Sequence, residues 1–155
     1  MSGKLARELK QIRPFASPAH EAFLNILKTA SVLGQAEAEM LKPFDLSAAP
    51  YNVLRILRGA GDAGRSCQEI AERLVAKDPD VTRLIDRLEA RGLVARSRSV
   101  EDRRVVLNRI TKEGLELLAR IDPVDDETPR RLLKGLGRRD LMILIDLLEK
   151  VRGEP

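Results

Sequence analysis

Tryptophan is absent from this chain of 155 residues, tyrosine and histidine occur once each, and aromatic residues make up only 3%. Proteins that hold single-stranded nucleic acid stack its bases on exposed rings, and so few rings argue against that class. One cysteine excludes an intrachain disulfide framework and suits a reducing compartment. No uncharged apolar run approaches the roughly 18 residues of a membrane-spanning helix. The opening MSGKLARELKQIRPF has no apolar h-region, so a cleaved signal peptide is not expected. No long helix combines a basic face with an apolar one, so membrane-surface binding is not expected either. The sole histidine, His20, has no Cys or His beside it to complete a metal set. There is no Ser-His-Asp set and no phosphate-binding glycine loop. The chain therefore reads as a cytoplasmic non-enzyme of ordinary domain size, with no cofactor and no metal.

What the chain does have is charge, at 34% of residues, unevenly placed. Between Arg83 and Lys112 nine basic residues face four acidic ones. The whole chain carries only +4, so the remainder is slightly negative. Positive charge gathered on one short stretch is the footprint of a surface that docks on phosphates. With few rings available, the expected partner is duplex DNA, which helices and arginines read.

The apolar spacing divides the chain into helices with one hairpin. Residues 1–16 form an arm. From Pro18 to about Leu41, Phe23, Ile26, Leu27, Ala30 and Leu33 recur at helical spacing. Lys42-Pro43 ends that helix, and Ser47 is placed to cap the next, with Tyr51, Leu54 and Leu57 on one face. Glycines 59, 61 and 64 make a loop. Ser66 and Glu69 have capping-box spacing and open a third helix, to Leu74. Asp78-Pro79 is expected to start a fourth, running to Arg91, with Val81, Leu84, Ile85 and Leu88 inward and Gly92 as the stop. Leu93–Arg98 and Val105–Ile110 read as short antiparallel strands around the turn SVEDRR. Thr111 caps a fifth helix with Leu115, Leu118 and Ile121 inward; Pro123 and Pro129 are expected to interrupt or kink it. A last helix, about Arg138–Arg152, carries the stripe Leu141, Leu144, Ile145, Leu148 and Val151.

Two short helices joined by a turn match a helix-turn-helix, whose second helix lies in the major groove. Arg83 is the candidate for base reading, since a guanidinium pairs with both acceptors of a guanine. Thr82 and Arg87 are candidates for phosphate contacts that set register. Arg98, Arg103 and Arg104 cluster at the hairpin, where a wing can place a guanidinium in a narrow minor groove. Asp102 is expected to hold one of these arginine side chains by a charge-assisted bond. The plain alternative for the helical charges is pairing at i,i+4 on a solvated face. Asp78 and Asp80 have a structural role available in capping and in complementing the helix dipole; acceptance by Asp80 from a cytosine amino group is the other reading.

The runs LVAKDPDVTRLIDRLEARGLV and SVEDRRVVLNRITKEG resemble the winged helix-turn-helix of MarR-type transcriptional regulators, and the resemblance extends from about Glu21 to Val151. Thr82 and Arg83 match DNA-contacting positions of that family, and Asp102 and Arg104 match its wing Asp-x-Arg pair. Two departures stand out: DPD where the family carries small hydroxyl residues, and Ile110 where it carries Leu.

The resemblance implies a mainly α fold with a small β-wing. Residues 1–45 would be arm and dimerisation helix, 46–110 the DNA-binding lobe, and 111–155 the C-terminal dimerisation helices. It implies a homodimer on a pseudo-palindromic operator, acting as a repressor, with release by a small aromatic effector. Phe44 and Tyr51 lie near the expected effector cleft, with core packing as their plain role. The stripe on the last helix supports a dimer independently, though such a stripe also suits an ordinary core. Two other readings are a winged-helix module for protein contact, which the basic wing argues against, and a redox-sensing regulator. The latter would work through Cys67, where a helix start can lower a thiol pKa; a small buried residue is its plain role.

Overall fold

A computed structural model describes residues 3–153; residues 1 and 2 of the arm and 154 and 155 of the C-terminal segment lie outside the described residues. Seven helices and one hairpin follow in the order α1 Lys4–Glu8, α2 Pro18–Leu41, α3 Ala48–Ala60, α4 Cys67–Arg73, α5 Val81–Ala90, β1 Val94–Arg98, β2 Val106–Ile110, α6 Lys112–Leu132 and α7 Arg138–Arg152. Short 3-10 turns follow α2 and α3.

The core sits in the middle of the chain. Val53, Leu54 and Leu57 of α3, Ile70 of α4, Leu84, Ile85 and Leu88 of α5, Val94 of β1 and Leu118 and Ile121 of α6 are nearly or wholly inaccessible to solvent. Each stripe follows the period of its element, so burial drives the packing of α3, α4, α5 and the hairpin into one lobe. The end helices differ. Leu41 alone is buried on α2, and no residue of α7 is buried. The apolar positions expected on α2 are instead open: Phe23 is 58% exposed and Leu27 51%. On α7, Ile145 is 48% exposed and Val151 68%. Leu115, expected to point inward with Leu118 and Ile121, is also exposed.

Local chemistry sets the boundaries. Ser66 and Glu69 form the full capping box: Ser66 Oγ accepts from the Glu69 N–H, and Ser66 N–H donates to the Glu69 carboxylate. That bond holds the Glu69 carboxyl below the usual carboxylate range. The start of α5 is two residues later than Asp78-Pro79 predicts. Asp80 is the cap, accepting from the Arg83 N–H at 3.1 Å, while Asp78 turns back to accept from the Asp80 N–H at 2.8 Å. Two aspartates in sequence build a double turn, and Pro79 sits inside it. At the far end Gly92, at φ +71, lets the Gly92 and Leu93 N–H groups reach the carbonyls of Glu89 and Leu88.

α6 runs unbroken through Pro123 and Pro129. Proline removes a helical donor and crowds the preceding turn, yet tertiary anchors hold the segment. Ile121 is fully buried, and Asp122 and Asp125, on either side of Pro123, are bonded to Arg58 and Arg55 of α3. Its first turn is fixed by Thr111, whose Oγ1 accepts from the Gly114 N–H and donates to the Gly92 carbonyl.

Candidate nucleic-acid interface

α4 and α5 meet through a short turn, and α5 buries Val81, Leu84, Ile85 and Leu88 while turning Thr82, Arg83, Asp86 and Arg87 to solvent. The turn itself is tied down from α3, where Asn52 Oδ1 accepts from the Val75 N–H at 2.8 Å. The side chains of Arg83 and Arg87 make no hydrogen bond or ion pair among the described residues. The i,i+4 pairing expected of a merely solvated helix is thus not formed. Asp86 is engaged across the lobe by Arg96 of β1 instead.

β1 and β2 pair antiparallel, with Val94 opposite Ile110 and Arg98 opposite Val106. Beyond them the chain turns through residues 99–105. Ser99 Oγ accepts from the N–H groups of Glu101 and Asp102, and the Val105 N–H donates to the Asp102 carbonyl. Asp102 does brace this turn, though not through an arginine side chain as expected. Its Oδ1 accepts from the backbone N–H of Arg104 at 2.9 Å. The carboxylate is two residues from that donor, so the short Asp side chain closes a local turn, and no guanidinium pairs with it among the described residues. Arg98 stays exposed but folds along the hairpin, its Nη1 donating to the Arg103 carbonyl at 2.8 Å. Arg103 and Arg104 are left exposed, with no side-chain partner among the described residues.

Several ties were not legible in the sequence. Arg96 pairs with both Asp86 and Glu89 of α5. Arg109 donates to the Asp62 carbonyl and to Ser97. Asn108, wholly buried in β2, exchanges backbone hydrogen bonds with Arg65 and donates its side-chain amide to the same residue's carbonyl. An asparagine on the inward face of a strand is the one signal that pointed here.

The two aromatic candidates do not share a cleft. Phe44 lines a hollow of about 430 Å³ with Pro43, Arg91 and Glu113, and the Arg120 guanidinium lies 5.7 Å from its ring centroid. Tyr51 lines a separate hollow of about 270 Å³ with Glu37, Asn52, Arg55, Val75 and Asp125. One faces the first half of α6 and the other its second half. Tyr51 is 3% exposed, its hydroxyl has no hydrogen-bond partner among the described residues, and burial, with Asp125 adding to it, pushes its pKa up to about 12. Cys67 is the first residue of α4, half-buried against the core, with the Asn108 amide 3.8 Å from its sulfur. His20 meets the Phe15 ring edge-on.

Known proteins align with this arrangement. The model of the MarR family matches residues 46–106, the span from the start of α3 to the second wing strand. The HTH-type transcriptional repressor IacR of Pseudomonas putida is 36% identical over 112 residues, covering 72% of this chain and 66% of that protein. Among solved structures, a MarR transcription factor from Planctomyces limnophilus is 40% identical over 87% of this chain and 98% of its own, with a TM-score of 0.67. BpsR of Bordetella bronchiseptica, described for regulation of its DNA binding by 6-hydroxynicotinic acid, superposes with a TM-score of 0.79 at 22% identity, over 92% of this chain and all of its own. A fold of this kind at 40% identity across nearly the whole length is a family relationship: the chain belongs to the MarR family of winged helix-turn-helix transcription regulators.

Proposed function

We infer that this chain acts as a homodimer on a pseudo-palindromic duplex site, reading bases through Arg83 of α5 and gripping the flanking backbone and minor groove through its wing. The observation that carries the reading is the distribution of free cations. Arg83, Arg87, Arg103 and Arg104 are exposed and without side-chain partners among the described residues, on the two elements that would reach the grooves. Thr82 and Arg87 set register on phosphates, and Arg103 and Arg104 enter the minor groove. Arg98 supports the wing through the Arg103 carbonyl. The open apolar faces of α2 and α7 supply the dimer contact.

Repression is the regulatory sense supported by the relative from Pseudomonas putida. Release by a small aromatic effector is supported by the control of BpsR by 6-hydroxynicotinic acid. The hollow beside Tyr51 is the better place for it here. It is walled by the α4–α5 turn, so an occupant touches the segment that leads into α5.

Selection of bound duplexes from random-sequence DNA tests the reading. The expected product is a two-fold site whose half-sites are centred one helical turn apart, about 10–10.5 base pairs, or a small multiple. A single unrepeated half-site, or no enrichment, contradicts it.

A further inference from the structure

Nine basic residues lie between Arg83 and Lys112, and they are not equally free. Arg96 of β1 is the only one held by two carboxylates among the described residues. Its Nη2 bonds Asp86, and its Nε lies 3.5 Å from Glu89. Its side chain is 27% exposed, against 55% and 43% for the two acids. These are also the only ion pairs joining the wing to α5 among the described residues. The opposite strand is fastened elsewhere: Asn108, paired with Arg96 in register, and Arg109 tie β2 to the loop that precedes α4.

We propose that Arg96 is a positioning residue for DNA binding, holding Asp86 and Glu89 so that α5 and the wing present their free arginines to the major and minor grooves in one fixed register. Nη2 supplies the hydrogen bond to Asp86, while Nε, buried and without a hydrogen-bond partner among the described residues, faces Glu89 as an ion pair alone; the planar guanidinium sets both contacts in one rigid group. A helix and a wing that moved independently would each pay their own ordering entropy on docking; locked together they pay it once. The inference rests on Arg104 contacting DNA, as read above.

A competing role for Arg96 is simple neutralisation of two acids that would otherwise repel phosphate. The two roles predict opposite results when the acids themselves are removed. Binding to a duplex recovered by selection from random-sequence DNA is measured for Arg104→Ala in three backgrounds: wild type, Arg96→Met, and Asp86→Asn with Glu89→Gln. In wild type Arg104→Ala is expected to weaken binding about tenfold. In both altered backgrounds, binding starts weaker than wild type and Arg104→Ala costs less than about twofold more, the coupling of two residues that do not touch. An equal tenfold cost in all three backgrounds overturns the proposal, because the wing then docks independently of Arg96. So does binding by the Asp86→Asn, Glu89→Gln protein that matches or exceeds wild type. A silent Arg104→Ala in wild type overturns the wing reading first and this inference with it, and is seen before Arg96 is touched. If Arg96→Met fails to fold, the carboxamide pair keeps Arg96 in place and carries the test.

Discussion

At the scale of single residues, small groups decide whether the DNA-binding lobe closes. Gly114 shows this most plainly. A Cβ built there would lie 2.5 Å from the Leu93 carbonyl oxygen and 2.6 Å from Ile110 Cγ1, both part of the hairpin base. The run Thr-x-x-Gly thus joins two requirements: Thr111 caps the Gly114 N–H, and the absent side chain lets α6 rest against the sheet. Gly114→Ala is expected to destabilise the protein by about 1–3 kcal/mol, as overpacking does, in spite of alanine's better helix propensity. Urea denaturation measures it, and a stabilised variant would contradict the packing argument. Gly64, at φ +66 and with the Asn108 carbonyl 2.8 Å from where a Cβ would sit, makes the matching close approach on the other side of β2.

At the scale of elements, the departure DPD resolves into capping. Asp80 accepts from the Arg83 N–H, so the residue in front of the base-reading arginine fixes the first turn that carries it. Asp80→Ala is expected to cost about 1 kcal/mol of stability, the usual worth of an N-cap. The same substitution at Asp78, whose bond closes only the preceding turn, should cost less. Chemical denaturation of the two variants side by side checks the order, and a larger loss at Asp78 would move the cap back to where the sequence alone places it. Much of the fold was legible because caps, stops and apolar periods are local: the capping box at Ser66, the stop at Gly92 and the inward face of α5 all follow from neighbours within four residues. What was hidden depends on partners far along the chain. Pro123 reads as a break until Arg55 and Arg58 of α3 are seen gripping Asp122 and Asp125 around it. Asp102 reads as an arginine holder until its own backbone neighbour reaches it first. Of the candidate site, the solvent-facing arginines could be read from helical spacing, whereas the tie from Arg96 to α5 could not, since nothing local sets a strand residue against the preceding helix.

At the scale of the whole molecule, the chain is unequally finished. The central lobe has a closed core, while α2 and α7 carry open apolar side chains such as Phe23, Leu27, Ile145 and Val151. A surface of that kind calls for a cover, and the inferred cover is a second copy. Phe23→Glu with Leu27→Glu should convert the protein to a monomer in analytical ultracentrifugation while the lobe stays folded. Affinity for a two-fold duplex site should then fall by about a hundredfold or more, because two linked lobes gain from effective concentration what one lobe does not. A double variant that remains dimeric would remove α2 from the interface.

Free arginines on α5 and the wing are inferred to dock on phosphates and grooves of duplex DNA. This docking is tested most directly by the affinity of the wild-type protein for its selected duplex across a series of salt concentrations. With Arg87 at the phosphates and Arg103 and Arg104 in the minor groove each displacing a counterion in both subunits, the slope of log affinity against log salt is predicted near −5, from about 0.9 per counterion released. A slope near zero would contradict the account.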